Sequence, residues 1–403
     1  ALKTNGQVEA VSGGASSGVV YEAANSPYNR VVYDTANNKI VIAYQDEGNS
    51  QYLTSVVGTV SSGVITFGTP VVILSSAGVG HDSIAFDAAN GKVVYEYSPA
   101  NNNYYGTAIV GTVSGTSISW GTSSVFSSAG TFDISAAYDS TAQKVLIFYR
   151  GTSSYGYGIV STVSGASISF GSASAFNSAV TTNIQAAYNS TQNKTALIYK
   201  DAGNSNYGYS IVSTVSGTSL SYGSPAQLTS DTFSATRGDA SIVYDAASDK
   251  IVASWESSTG AGVGAIGTIS GTSISWGTAV EIKASYSQNQ NLIFNSSNNK
   301  VYSQMNFSIY ELTVSGTSFT ASSPNSLPST NVSFVGAAFD SDNAVIIYAY
   351  VDGANSAYGT SSVYTPSNSA DFIGITDAAI SSGASGSVTI KGGISSNVTS
   401  LTP

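Results

Sequence analysis

The residue types behind most enzyme chemistry are scarce in this sequence. It has one histidine, His81, and no cysteine. Any Ser–His–Asp or His–metal scheme would have to run through that single imidazole, and disulfides and thiolate metal sites are excluded. His81 is read as a loop residue at the start of a repeat. Hydrolysis by paired carboxylates needs only two acids. Glu96 and Glu256 both follow apolar runs, yet the equivalent runs carry Phe148 and Tyr199 nearby, so both acids are expected at ordinary strand positions. The sialidase Asp-box, Ser-x-Asp-x-Gly-x-Thr-Trp, is absent. No enzymatic activity, cofactor or metal is expected.

Binding chemistry is better represented. Five similar segments read Asp46-Glu47-Gly48-Asn49-Ser50-Gln51-Tyr52, Asn103-Tyr104-Tyr105, Tyr155-Gly156-Tyr157, Asp201-Ala202-Gly203-Asn204-Ser205-Asn206-Tyr207 and Asp352-Gly353-Ala354-Asn355-Ser356-Ala357-Tyr358. Sugars are held by a flat aromatic face for their C–H side and by amides or carboxylates for their hydroxyls. Tyr beside Asn, Asp and Ser supplies both with little loss of rotamer entropy. A second periodic set is Asn29, Asp82, Asp133, Asn183, Asp239 and Asn289, each shortly before an aromatic–acid or aromatic–amide pair. Converging oxygens could hold a cation or a ligand. The favoured alternative is that they cap the starts of strands and bind water.

Both sets recur because the chain is a repeat. The pairs Tyr33-Asp34, Phe86-Asp87, Tyr138-Asp139, Tyr188-Asn189, Tyr244-Asp245, Phe294-Asn295 and Phe339-Asp340 follow one another at 45 to 56 residues. Five residues after the acid or amide, a lysine opens an apolar run in six copies: Lys39, Lys92, Lys144, Lys194, Lys250 and Lys300. The four Asp–Lys combinations are read as contacts that lock a turn. Each unit predicts four strands; in the third they are Asp133 to Tyr138, Lys144 to Tyr149, Tyr157 to Val163 and Ser167 to about Phe176. Ser-Gly at 114–115, 164–165, 216–217, 270–271 and 315–316 supplies the positive φ of a tight hairpin, and the acid–lysine segment is an Asx-initiated turn. No stretch sustains a 3.6-residue period, so helix should be nearly absent.

Four antiparallel strands in about 50 residues, repeated seven times, describe the blades of a β-propeller. The blades are expected near 28–78, 79–128, 129–178, 179–232, 233–284, 285–330 and 331–366. The seventh lacks its hairpin and fourth strand, and an orphan strand near 17–24 is expected to complete it, closing the ring without an exposed edge. The first domain is thus 1–366, and 367–403 is a small β segment opening a further module. On this fold the two polar sets lie on one face: the second around the mouth of the central channel, the first on the loops between second and third strands.

Composition narrows the partners. The 403 residues carry 13 Lys+Arg against 23 Asp+Glu, with a pI near 4.4. Nucleic acid and anionic membranes need clustered basic groups, so neither is expected. No apolar run reaches the 18 or so residues of a membrane helix, and Ala1 to Gly6 lacks the apolar core of a signal peptide. Only 9% of residues are charged, against about 25% in an ordinary domain. A surface of Gly, Ser, Thr, Asn and Tyr suits extracellular or particle-bound proteins that hold sugars or copies of themselves.

The last segment, Phe372-Ile373-Gly374-Ile375-Thr376-Asp377-Ala378-Ala379-Ile380 with Val388-Thr389-Ile390-Lys391-Gly392-Gly393 and Leu401-Thr402-Pro403, resembles a short β module of tail fibres and other structural proteins of tailed bacteriophages. The blade pattern from Gly111 to Gly121 is similar to repeats in the same proteins. This resemblance implies a chain that continues beyond Pro403 and a non-enzymatic fibre or appendage protein at the virion surface. The propeller would bind a host-surface glycan or protein receptor, or act as a spacer, beside other copies or other structural proteins of the particle. The second reading is a secreted or cell-surface lectin-like propeller; a glycan-cleaving enzyme is the third.

Overall fold

The computed structural model describes residues 13–77, 79–233, 240–367, 375–376 and 388–389. The lysine-led apolar runs become second strands because they are buried on both faces: in Lys144–Arg150 only the end residues reach solvent. The third blade pairs Phe132–Asp139, Lys144–Arg150 and Gly156–Ser164 antiparallel, in the register Asp139↔Lys144 and Tyr149↔Tyr157. Its fourth strand differs from the expected single run. It is broken into Ser167–Phe170 and Ser174–Asn177, both paired with the third strand.

The break lies at Gly171, where a Cβ would stand 1.9 Å from Thr218 O in the hairpin of the next blade. Gly68, Gly121, Gly223 and Gly277 meet the next blade's hairpin in the same way. The aromatic residue before this glycine ties back to the preceding blade: Trp120 Nε1 donates to Ser55 Oγ at 3.0 Å, and Trp276 Nε1 to Ser210 Oγ at 2.8 Å.

Seven such sheets form a seven-bladed β-propeller. Their first strands contact one another in sequence around a closed circle, the seventh touching the first. The apolar cores lie between blades. One joins Leu146 and Phe148 to Leu197 and Tyr199; another joins Ile40 and Ile42 of the first blade to Ile347 and Val363 of the last. The last blade is completed from the other end of the sequence. Val19–Asn25 pairs antiparallel with Tyr358–Thr365, and Gly14–Ala15 pairs with Thr365 and Tyr364. Of the C-terminal segment, Ile375–Thr376 pairs with Val388–Thr389; the rest of the stretch that resembles a phage module lies outside the described residues. Three short 3₁₀ turns are the only helical elements among the described residues, and no helix is long and apolar enough to cross a membrane.

On the face away from the channel mouth, the hairpin glycines adopt the expected left-handed backbone, with φ near 61° at Gly115, Gly165, Gly217, Gly271 and Gly316. The acid of each aromatic–acid pair serves its own turn: Asp34 Oδ1 accepts from Ala36 N and Asn37 N, and Asp139 Oδ1 from Thr141 N and Ala142 N. The lysines correct the expected Asp–Lys contact. Lys92 and Lys250 reach Thr112 and Thr268 on the third strand at 2.8 and 3.0 Å, while Asp87 and Asp245 accept from backbone N–H groups at Oδ1 and from the Asn90 and Ser248 side chains at Oδ2. Lys300, which follows Asn295, reaches Thr313 at 2.7 Å.

Candidate functional site at the channel mouth

The first strands all start on the same face, and most start with a kink. Tyr28, Asp133, Asn183, Asn289 and Phe334, each five residues before its aromatic–acid pair, have φ between 49° and 62°. Asn and Asp tolerate this left-handed conformation best among residues with a side chain, which accounts for their recurrence. Their side chains also staple blade to blade. His81, the equivalent residue of the second blade, accepts at Nδ1 from Asp133 N (3.0 Å). Asp133 Oδ1 accepts from Asn183 N (3.3 Å), and Asn289 Oδ1 from Phe334 N (3.2 Å). Asn29 Nδ2 then donates to Phe334 O (3.0 Å), joining the last blade to the first.

The structure therefore divides the six predicted mouth residues. Asp133, Asn183 and Asn289 form the staple ring, while Asn29 and Asp82 sit one residue deeper. Asn29 receives the Tyr21 hydroxyl at 2.5 Å. Asp82, 1% exposed, receives the Tyr95 hydroxyl at 2.6 Å and pairs with Arg30 Nη2 at 3.1 Å. Asp239 lies outside the described residues. Among the described residues no group of three His, Cys, Asp or Glu is placed to hold a metal.

Inside the ring is a cavity of about 210 Å³. One wall is aromatic: Tyr28 and Phe334 meet edge to face at 5.0 Å, and Phe334 is 39% exposed. The facing wall is polar and neutral, built from Ser83, Ser135, Gln185, Ser241 and Asn291, which stand three residues before the aromatic–acid pairs. Each serine Oγ accepts a backbone N–H of the following blade, from Ala136, Ala186 and Leu292, at 2.9–3.1 Å. Each keeps its own hydroxyl proton as a donor. Arg30 holds the same place in the first blade. It gives Nε to Asp82 O and Nη1 to Asn29 O at 3.1 and 3.0 Å, besides the ion pair. Gln290 in the wall donates to Ser287 O, and its Oε1 has no hydrogen-bond partner. The last blade has Gly336, where a Cβ would meet Asn29 O at 2.7 Å.

None of the predicted loop residues lines this cavity. Asp46, Asp201 and Asp352 close their own loops, accepting from Asn49 N, Gly203 N and Ala354 N at 2.9–3.1 Å. Asn204 Nδ2 also donates to Asp201 Oδ2, at 2.6 Å. Tyr52, Tyr105, Tyr207 and Tyr358 open third strands and are half-buried. Tyr155 is half-buried beside them, and Tyr157 stacks on Tyr149 at 5.8 Å. Asn49, Asn103, Asn204, Asn355 and Tyr104 remain exposed. Tyr104 lies 5.7 Å from Phe132, whose ring also meets His81 at 5.2 Å and carries the Arg150 guanidinium at 4.7 Å. Among the described residues, three exposed aromatics stand on this face: Tyr104 and Tyr286 on loops, and Phe334 near the start of the last blade's first strand.

The acids weighed for catalysis are placed elsewhere. Glu96 is fully buried with no partner on either oxygen, and burial, with Asp82 adding repulsion, pushes its pKa well above the ordinary carboxylate value. Neither it nor Glu256 lines the cavity. The sequence reading missed Tyr28, Arg30, Ser83, Ser135, Gln185, Ser241 and Phe334. Their constant offset from the aromatic–acid pairs was the available signal.

Several solved structures share the fold. A chain of the mitotic checkpoint complex is 11% identical with a TM-score of 0.58, over 91% of this chain and 97% of that one. A protein from Lactobacillus plantarum is 8% identical with a TM-score of 0.55, over 75% and 85%. The SapL1 lectin, solved with alpha methyl fucoside, is 14% identical with a TM-score of 0.47, over 76% and 98%. Identities this low speak for the fold alone, and the lectin's score carries no further argument. No protein-family model and no curated protein matches the sequence.

Proposed function

We propose that this chain is a non-enzymatic carbohydrate-binding propeller whose channel-mouth face recognises a glycan on a surface. The observation that carries this reading is the conjunction, at the channel mouth, of a small polar cavity with the aromatic wall of Tyr28 and Phe334. Concave sites that join apolar rings to a few convergent polar groups are the usual form of small-molecule sites. The low charge of the surrounding surface agrees, since neutral hydroxyls and amides are cheaper to desolvate than ions. The phage-like C-terminal residues extend the reading to an appendage of a tailed virus, displayed for attachment.

A glycan array probed with the purified chain tests recognition, and a set of bound structures sharing one terminal sugar is expected. Release of reducing ends from those glycans would show an enzyme instead. Antibody labelling of source particles under the electron microscope, expected at the tail, tests the appendage.

A further inference from the structure

Resting on that reading, we infer that the cavity takes one terminal sugar bearing a carboxylate, with its anionic group toward Arg30 and the serine hydroxyls and its ring against Phe334. Size comes first. At about 210 Å³ the cavity is smaller than the roughly 300–1,000 Å³ of sites for drug-sized ligands, which suits a single ring rather than a length of chain.

The hydrogen-bonding balance sets the class. A guanidinium has five N–H donors and no acceptor, and three of those of Arg30 are engaged with Asp82 and Asn29. That leaves two N–H groups, and the hydroxyl protons of Ser83, Ser135 and Ser241 add three more donors. The wall's strongest acceptors are already filled: Asp82 by Tyr95 and Arg30, Asn289 by Phe334 N. Each serine oxygen keeps one lone pair beside its proton, and Gln185 offers both an oxygen and N–H groups, so the two remaining N–H groups of Arg30 are the ones that can only donate. A hydroxyl of a neutral sugar can accept from Arg30 but brings a proton of its own that must find an acceptor once buried. A carboxylate brings two acceptor oxygens and no proton, and charge-assisted bonds to a guanidinium are the stronger kind. Phe334 gives the sugar's C–H face an apolar surface.

Binding of glucuronic acid and N-acetylneuraminic acid, against glucose and N-acetylglucosamine, would be measured by calorimetry on the full chain. Acidic sugars are expected to bind at least about tenfold more tightly, a difference of about 1.4 kcal/mol. Arg30→Gln is expected to erase that preference. Because Asp82 would lose its partner there, Phe334→Asn is the companion variant: Asn suits the left-handed backbone, so the melting temperature should hold while affinity falls about tenfold. Tyr104→Ala should leave affinity unchanged. Equal or tighter binding of neutral sugars, or loss in Tyr104→Ala with Phe334→Asn unaffected, would overturn the inference and leave glycan recognition standing. If no sugar of either class binds and the array is blank, recognition itself fails.

Discussion

Glu96 shows how one residue can work against the ring that contains it. Its side chain is 0% exposed and its oxygens lack partners, so burial raises its pKa in the folded chain well above the ordinary value of 4.5 that the unfolded chain keeps. A raised carboxyl pKa stabilises nothing at neutral pH: stability is full below the unfolded value and falls as pH rises toward the folded one. The slope over that interval approaches about 1.4 kcal/mol per pH unit. Glu96→Gln is expected to melt close to the parent chain at pH 4 and progressively higher than it by pH 8. A gap that does not change with pH would show that the acid finds a partner. At this scale the sequence was half legible. The recurrence of Asn and Asp before each aromatic–acid pair marked the channel mouth, but which N–H each oxygen accepts belongs to the neighbouring blade. His81 looked like a loop residue because its equivalence to Asp133 and Asn183 is one of position, not of residue type.

Among elements, the strands were the most legible part, since period-two alternation, lysine-led apolar runs and Ser-Gly turns are all local. The broken fourth strand was not, because its cause is the next blade's hairpin carbonyl pressed against a glycine. At Gly121 a Cβ would lie 2.2 Å from Ala166 O in the next blade's hairpin turn, a backbone atom rather than the end of a flexible side chain. Gly121→Ala is expected to destabilise by about 1–3 kcal/mol, as overpacking does, read as a lower denaturant midpoint. The adjacent exposed position serves as control, with Thr122→Ala near neutral. Equal midpoints for the two variants would mean that the blades can slide apart there at no cost. The loops between second and third strands show how turn chemistry and ligand chemistry share residue types. Their Asp and Asn are candidate sugar ligands, and in Asp46, Asp201 and Asp352 one oxygen, Oδ1, already accepts from the loop's own backbone.

For the whole molecule, closure is the governing feature, and it was visible in the sequence as a missing strand at one end and an orphan at the other. Val19 to Asn25 supplies the outer edge of the last sheet and brings Tyr21 into the core shared with the first blade. Deleting residues 1–25 is expected to expose that core and the edge of Tyr358–Thr365, lowering the melting temperature and promoting self-association by edge pairing. An unaltered melting curve and a monomeric elution profile would contradict this account of the ring.

Because Gly14 lies opposite Thr365, the polypeptide comes into the disc and goes out of it through neighbouring strands about 5 Å apart. Any sequence flanking the disc on either side springs from a single spot on its rim, so the whole wheel hangs like a bead from one knot. Tension between the two flanks would open that knot pair by pair along one sheet, leaving the other six to follow only after it had parted.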